Sequence, residues 1–274
     1  MLRFQIQSLA FPHRIAFLPN KSLFSRFSIV ALSTAIRFPA TMDTPSDIPA
    51  SKNNEISGMR QDYTQSTLLE STIEANPISQ FEAWFADSKK LVDSMPDFEA
   101  NAMHLATASK TGVPSSRIVL LKGFDDRGFV FFSNYQSRKG REMEANPMAA
   151  LTFYWGQRQV RIEGSVKRIS NDESVEYFNS RPRKSQLGAW ASRQSTILPN
   201  GREELDQNYV DVEERFKNVE KIPKPDFWGG YRVEPTVLEF WQGRSSRLHD
   251  RLVYSRLSPS EQGERGWMMQ RLSP

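Results

Sequence analysis

The sequence predicts a mainly β fold with peripheral helices, closed as an antiparallel barrel. Two observations carry this. About eight runs of four to seven residues, rich in β-branched and aromatic side chains, are separated by short polar turns. Helical stripes fall between only some of these runs, without the regular strand–helix alternation of a doubly wound sheet. No internal repeat, G-x-G-x-x-G or P-loop occurs.

Taken in order, Asn76-Pro77-Ile78-Ser79 leads into a helix, with Ser79 and Glu82 spaced as a capping box. Phe81, Trp84, Phe85, Leu91, Val92 and Met95 recur along it at helical spacing. Strands are expected at 102–108, 117–122 and 128–133, the last two joined by a turn at Asp125-Asp126-Arg127-Gly128. Residues 137–146 read as a short helix ended by Pro147. Strands follow at 149–155 and 159–166, where Val160, Ile162 and Val166 alternate with polar residues. Ser170 and Glu173 form a second capping box, opening a helix that Pro182 closes. Leu205, Tyr209, Val212 and Phe216 mark a third helix. The remaining runs, 231–233, 237–241, 252–256 and 267–272, read as strands.

Composition narrows the function. The chain has 274 residues, 38% hydrophobic and 25% charged, which supports a packed core and excludes a disordered chain. It has no cysteine, so disulfides, thiolate nucleophiles and iron–sulfur clusters are excluded. His13, His104 and His249 are its three histidines, too few for an ordinary metal site, and no metal is expected. No unbroken apolar run reaches the roughly 18 residues of a membrane-crossing helix. The net charge is +4, but residues 1–41 carry five Lys and Arg and no acid, so the rest of the chain is near neutral. A near-neutral body argues against a general nucleic-acid binder.

Residues 1–41, rich in Arg, Ser and Phe, have the composition of a mitochondrial transit peptide. Residues 42–58 read as a linker, leaving 59–274 as the folded domain. Met42 offers a second start that would give a cytosolic form.

Three polar sets stand out. Arg117 and Lys122 bracket an apolar run, and Arg138 and Lys139 open a helix, where free N–H groups and the helix dipole suit a phosphate. Tyr177 and Arg181, four residues apart, share a helical face with Ser185 just beyond, a second set suited to a phosphate monoester. In the segment from Trp241 to Arg251, an extended chain would place Arg247, His249 and Arg251 on one side and Leu248 on the other. The bland alternatives are a solvated helix start, an arginine complementing a helix C-terminus and a charged edge strand. Two phosphate-suited sets in a near-neutral body point to phosphorylated small molecules.

These residues lie in longer motifs: 117–122 (RIVLLK), 131–139 (FFSNYQSRK), 158–160 (RQV), 177–190 (YFNSRPRKSQLGAW), 227–230 (FWGG), 239–243 (EFWQG) and 247–251 (RLHDR). Together they resemble the pyridoxamine 5′-phosphate oxidase family, over essentially all of 59–274. The resemblance implies an FMN-binding split β-barrel, a homodimer with FMN at the subunit interface and a dimerisation region at about 228–274. It implies oxidation of pyridoxamine 5′-phosphate and pyridoxine 5′-phosphate to pyridoxal 5′-phosphate, with O2 as acceptor and H2O2 released. The FMN contacts it implies are Arg117, Ile118, Val119, Leu120, Leu121, Lys122, Phe132, Ser133, Arg138, Lys139 and Gln159, with Gln194, Ser195, Trp241 and Arg251 supplied by the partner subunit. The implied substrate contacts are Lys122, Tyr177, Arg181 and Ser185 for the phosphate, and Arg247, Leu248 and His249 for the ring. A covering arm is implied at Arg60, Gln61, Asp62 and Tyr63. Arg247 and His249 are the expected catalytic pair, orienting the substrate and assisting proton loss. Asn179 departs from a His-Ser-Arg-Pro version of the family motif.

Two other readings compete: a flavin- or haem-binding split barrel without oxidase activity, and a nucleic-acid-binding barrel. N-terminal sequencing of the native protein should find chains that begin near residue 42; native chains beginning only at residue 1 would contradict both the transit peptide and the second start.

Overall fold

The computed structural model describes residues 62–93, 97–258 and 266–274, with Ile56, Gly58, Met59 and Ser260. Residues 60–274 form one unit. The transit-peptide stretch, Met42, Met95 and the arm residues Arg60 and Gln61 lie outside the described residues.

Alternation sets the sheet. In β6 (Arg158–Arg168), Val160 and Ile162 are fully buried and Gly164 and Val166 lie on the same face, while their neighbours are half-buried or exposed. Nine antiparallel strands result: β1 (Ala102–Ala108), β2 (Pro114–Leu120), β3 (Gly123–Asp125), β4 (Gly128–Asn134), β5 (Met148–Trp155), β6, β7 (Trp228–Gln242), β8 (Asp250–Arg256) and β9 (Trp267–Arg271). They are ordered β2-β1-β5-β6-β7-β4-β3, with β8 paired to β7 and β9 to β8. The Lys122 N–H donates to the Val130 carbonyl at 2.8 Å, tying the end of β2 to β4 and curling the sheet into a half-barrel.

Two expectations about strands are corrected. The turn at 125–128 joins β4 to the short β3, whereas β2 pairs with β1. The runs 231–233 and 237–241 are one strand, β7. Pro235 reads as a break, but the β6 partner shifts register there. Gly164 faces Pro235 and Glu163 faces Val237, so Thr236 is the extra residue of a bulge. The first half of β7 pairs with β4 and the second with β8.

Helices α1 (Pro77–Lys89), α2 (Arg138–Ala145), α3 (Asn171–Ser180), α4 (Arg183–Ala191) and α5 (Gly201–Arg215) lie at the periphery. The Ser170–Glu173 capping box forms as expected. The Ser79–Glu82 box does not: Asn76 caps α1, its Oδ1 accepting from the Ile78 N–H at 2.8 Å, because Pro77 takes the first helical position and places Ser79 inside the helix. Helix α4 is unanticipated. Pro182 ends α3 and serves as the cap of α4, so Ser185 is helical and Arg181 occupies the bend between.

Phe81 of α1, fully buried, meets Phe124, Phe129, Phe153 and Trp155 with ring centroids 4.9–5.6 Å apart and seats the helix across the barrel mouth. A second apolar cluster of Phe178, Leu187, Phe216, Ile222 and Trp228 holds α3, α4 and the segment after α5. Replacing Phe81 by Ala should cost about 3–5 kcal/mol in urea unfolding; a loss below ~1 kcal/mol would show that α1 does not close the core.

Candidate active site

Local sequence builds a cationic helix start. Ser137 caps α2 through its Oγ, which accepts from the Gly140 N–H at 3.2 Å. Arg138 and Lys139 follow with no acid in the first turn. Cations oppose the positive end of a helix, so the arrangement favours an arriving anion. The Lys139 ammonium is buried and donates to Ser133 Oγ at 3.1 Å and Gln194 Oε1 at 3.1 Å. Burial, with the nearby Arg117 guanidinium, pushes its pKa down to about 8.

This start opens into a cleft of about 860 Å³ between β2, β4, α2 and the α3–α4 bend. That volume suits a small-molecule site. Arg117, Lys122, Arg138, Lys139 and Arg181 line it, and none of its lining residues among those described is Asp or Glu. Phe132, Tyr177 and Trp228 form an aromatic wall, with Phe132 stacked on Tyr177 at 3.8 Å. The Arg181 guanidinium lies over Trp228 at 4.7 Å. Its buried Nη1 has no hydrogen-bond partner among the described residues, a donor that an anion in the cleft would satisfy.

Most of the expected residues meet here. Arg117, Ile118, Val119, Leu120 and Lys122 line the cleft from β2 and its end, Phe132 and Ser133 from β4, and Arg138 and Lys139 from α2. Tyr177, Arg181 and Ser185 complete the second phosphate set. Three placements go beyond the expectation. Leu121 turns into the core and is buried, since alternation gives it the face opposite Leu120. Lys122 is exposed. Gln194 and Ser195 line the cleft of their own protomer; α4 carries the chain back to it, and Ser195 turns there at φ 68°.

The other expected residues form a separate cluster. Gln159, Trp241 and Arg251 stand abreast across β6, β7 and β8. His249 packs 4.8 Å from Trp241, and Tyr63 packs edge-on to both. The arm around Tyr63 is held by Gln157 Oε1, which accepts from the Thr64 N–H at 2.8 Å. Asp62, next to it, is exposed. Arg247, His249 and Arg251 do not share one extended face. Ser245–Arg247 is a 3-10 turn with Ser246 and Arg247 at φ 57° and 59°, and β8 begins only at Asp250. Arg247 and Leu248 are exposed. Trp228 in the cleft and Trp241 in the cluster lie on one strand, roughly 40 Å apart along it.

Sequence reasoning missed Glu142, Asn134 and Trp228. Glu142 had a signal, its four-residue spacing from Arg138.

A curled antiparallel half-barrel with a cationic, aromatic-walled cleft at its edge defines a flavin-binding split barrel. The pyridoxamine 5′-phosphate oxidase family model matches residues 89–212, and the pyridoxine 5′-phosphate oxidase C-terminal dimerisation region matches 228–274. A pyridoxine/pyridoxamine 5′-phosphate oxidase of Rubrobacter xylanophilus is 51% identical over 229 residues, 83% of this chain and 100% of that protein. One from Acaryochloris marina is 52% identical over 221 residues, 80% of this chain and 95% of that protein. Among solved structures, PhzG of Burkholderia lata, in complex with tetrahydrophenazine-1-carboxylic acid, superposes with a TM-score of 0.66 at 30% identity, over 76% of this chain and 98% of that one. An FMN-binding protein of Nostoc punctiforme shares the fold, with a TM-score of 0.51 at 17% identity, over 71% of this chain and 97% of that one. The chain belongs to the pyridoxine/pyridoxamine 5′-phosphate oxidase family.

The low Lys139 pKa has a consequence. The free site loses this cation as the pH rises through 8, so the Kd for FMN should about double from pH 7 to 8 and rise by up to about tenfold by pH 9. Lys139→Gln should bind more weakly with no such rise; an equal rise in the variant would remove Lys139 from the phosphate contact.

Proposed function

We propose that the protein oxidises pyridoxamine 5′-phosphate and pyridoxine 5′-phosphate to pyridoxal 5′-phosphate with FMN as cofactor and dioxygen as the electron acceptor, which leaves as hydrogen peroxide. The observation that carries this is the cleft itself: five cations, no lining carboxylate, and a buried arginine donor without a partner. FMN held there would supply the redox chemistry, as acceptor of the hydride that the substrate C4′ carbon gives up.

The chain's own residues divide the remaining work. Arg138 and Lys139, at the α2 start, would hold the FMN phosphate, and the β2 edge from Arg117 to Leu120 would run beside the cofactor. Arg181, Tyr177 and Ser185 would hold the substrate phosphate. The Trp241–His249 cluster is too far along β7 to reach this cleft in one protomer, and it lies within the dimerisation region, so it would close the cleft of a partner subunit.

His249 would have a role narrower than proton removal. Its Nδ1 accepts the Arg244 backbone N–H at 3.1 Å. The neutral ring therefore carries its proton on Nε2 and can only donate there. It orients an acceptor atom of the substrate and excludes water with Trp241 and Tyr63. Residues 1–41 would direct the chain to mitochondria, and a start at Met42 would leave it in the cytosol.

Anaerobic addition of pyridoxamine 5′-phosphate to the purified yellow protein should bleach the flavin band, and air should restore it. A flavin band that does not bleach would overturn the oxidase reading; salt-sensitive oligonucleotide binding without flavin would favour a nucleic-acid barrel. His249→Asn, whose amide still donates, should keep kcat within about tenfold, whereas His249→Leu should lose about a hundredfold or more. Equal, large losses in both would restore the base role.

A further inference from the structure

We infer that Glu142 is a positioning residue for the cofactor phosphate, the buried carboxylate that fixes both arginines of the FMN half-site before FMN arrives. The inference deepens the proposed function and rests on FMN occupying this cleft.

Glu142 lies on α2, one turn beyond Arg138, and is only 8% exposed although it is charged. Its two oxygens are fully engaged. Oε1 accepts from Arg138 Nε at 2.9 Å. Oε2 accepts from Thr107 Oγ1 at 2.5 Å and Ser115 Oγ at 2.6 Å, with Arg117 Nη2 at 3.4 Å. One carboxylate thus joins β1, β2 and α2 and takes a guanidinium from two of them. Burial opposes its charge, but the hydroxyl and arginine hydrogen bonds outweigh this and bring its pKa to about 2, so it is ionised throughout the physiological range.

Arg117 is anchored from behind. Its Nη1 donates to the Leu105 carbonyl at 3.1 Å and to Thr107 Oγ1 at 2.5 Å. Among the described residues Arg138 is held only at Nε, and its side chain is 57% exposed. That hold leaves both terminal nitrogens of Arg138 free for an anion, as a fork whose direction Glu142 sets. Two effects compete when Glu142 is removed. Losing a negative charge strengthens attraction for phosphate, but across a solvent-facing cleft this is screened. Losing the hold returns to Arg138 the rotamer freedom of a free arginine, worth up to roughly thirtyfold in a binding constant. The second effect is the larger, so FMN binding should weaken.

The test is FMN release from the diluted holoenzyme, followed by flavin fluorescence, in a double-mutant cycle. Glu142→Ala should raise the FMN Kd about tenfold or more in the parent and less than about threefold in an Arg138→Ala background. Should the alanine variant fail to fold, Glu142→Gln, which keeps an acceptor for Thr107 and Ser115, carries the same cycle. An equal factor in both backgrounds would make Glu142 a structural residue only, and an unchanged or tightened Kd would show that charge, not position, governs the site. A parent protein that does not retain FMN would overturn the cofactor reading and this inference together.

Discussion

Five cations around one cleft repel one another, and the rest of the site follows from how that repulsion is contained. The cleft admits no carboxylate to its surface, since a lining Asp or Glu would compete with the phosphates. The compensating charge sits behind the wall, as Glu142. A parallel arrangement occurs on the outer face of the sheet, where the buried Glu239 takes Arg251 at 2.8 Å and Arg161 at 2.9 Å. Each half of the site therefore has one buried carboxylate holding two guanidiniums, a geometry in which removing the acid would leave uncompensated charge.

The barrel explains why there are two halves. Strand β7 is shared by β4 at its start and β8 at its end. Its length separates Trp228 from Trp241 by roughly 40 Å along the strand, which supports the proposal that the two clusters of one protomer serve different sites. The bulge at Pro235 bends this strand where it passes from one pairing to the other. The arm adds a further tie: Asp250 accepts from the Leu68 N–H at 3.0 Å and from Arg271 at 2.8 Å, and Arg271 grips Glu70 at 2.7 Å. Residues near both ends of the folded unit are thereby fixed beside His249.

Much of this was legible in the sequence because it depends on local order. Strand periodicity in β6, the Ser170–Glu173 cap and the cations at the α2 start are all properties of short windows. What escaped depends on distant partners. Pro235 reads as a strand end until the register shift of β6 is known. Helix α4 was hidden because Pro182 closes one helix and opens the next. Arg247 and His249 read as sharing a strand face because nothing in their spacing signals two consecutive positive-φ residues. Gln194 and Ser195 line the cleft of the chain that carries them because α4 returns there, which sequence position does not say.

A working site would need the cleft of one subunit and the Trp241–His249 cluster of another. Arg181→Ala and His249→Leu damage opposite halves. Each variant alone should be nearly inactive. Unfolding the two together and refolding them as mixed dimers should restore about a quarter of wild-type activity, since half of the dimers are mixed and each then holds one intact site. No recovery in confirmed mixed dimers would place both halves of the site within a single chain and contradict the account.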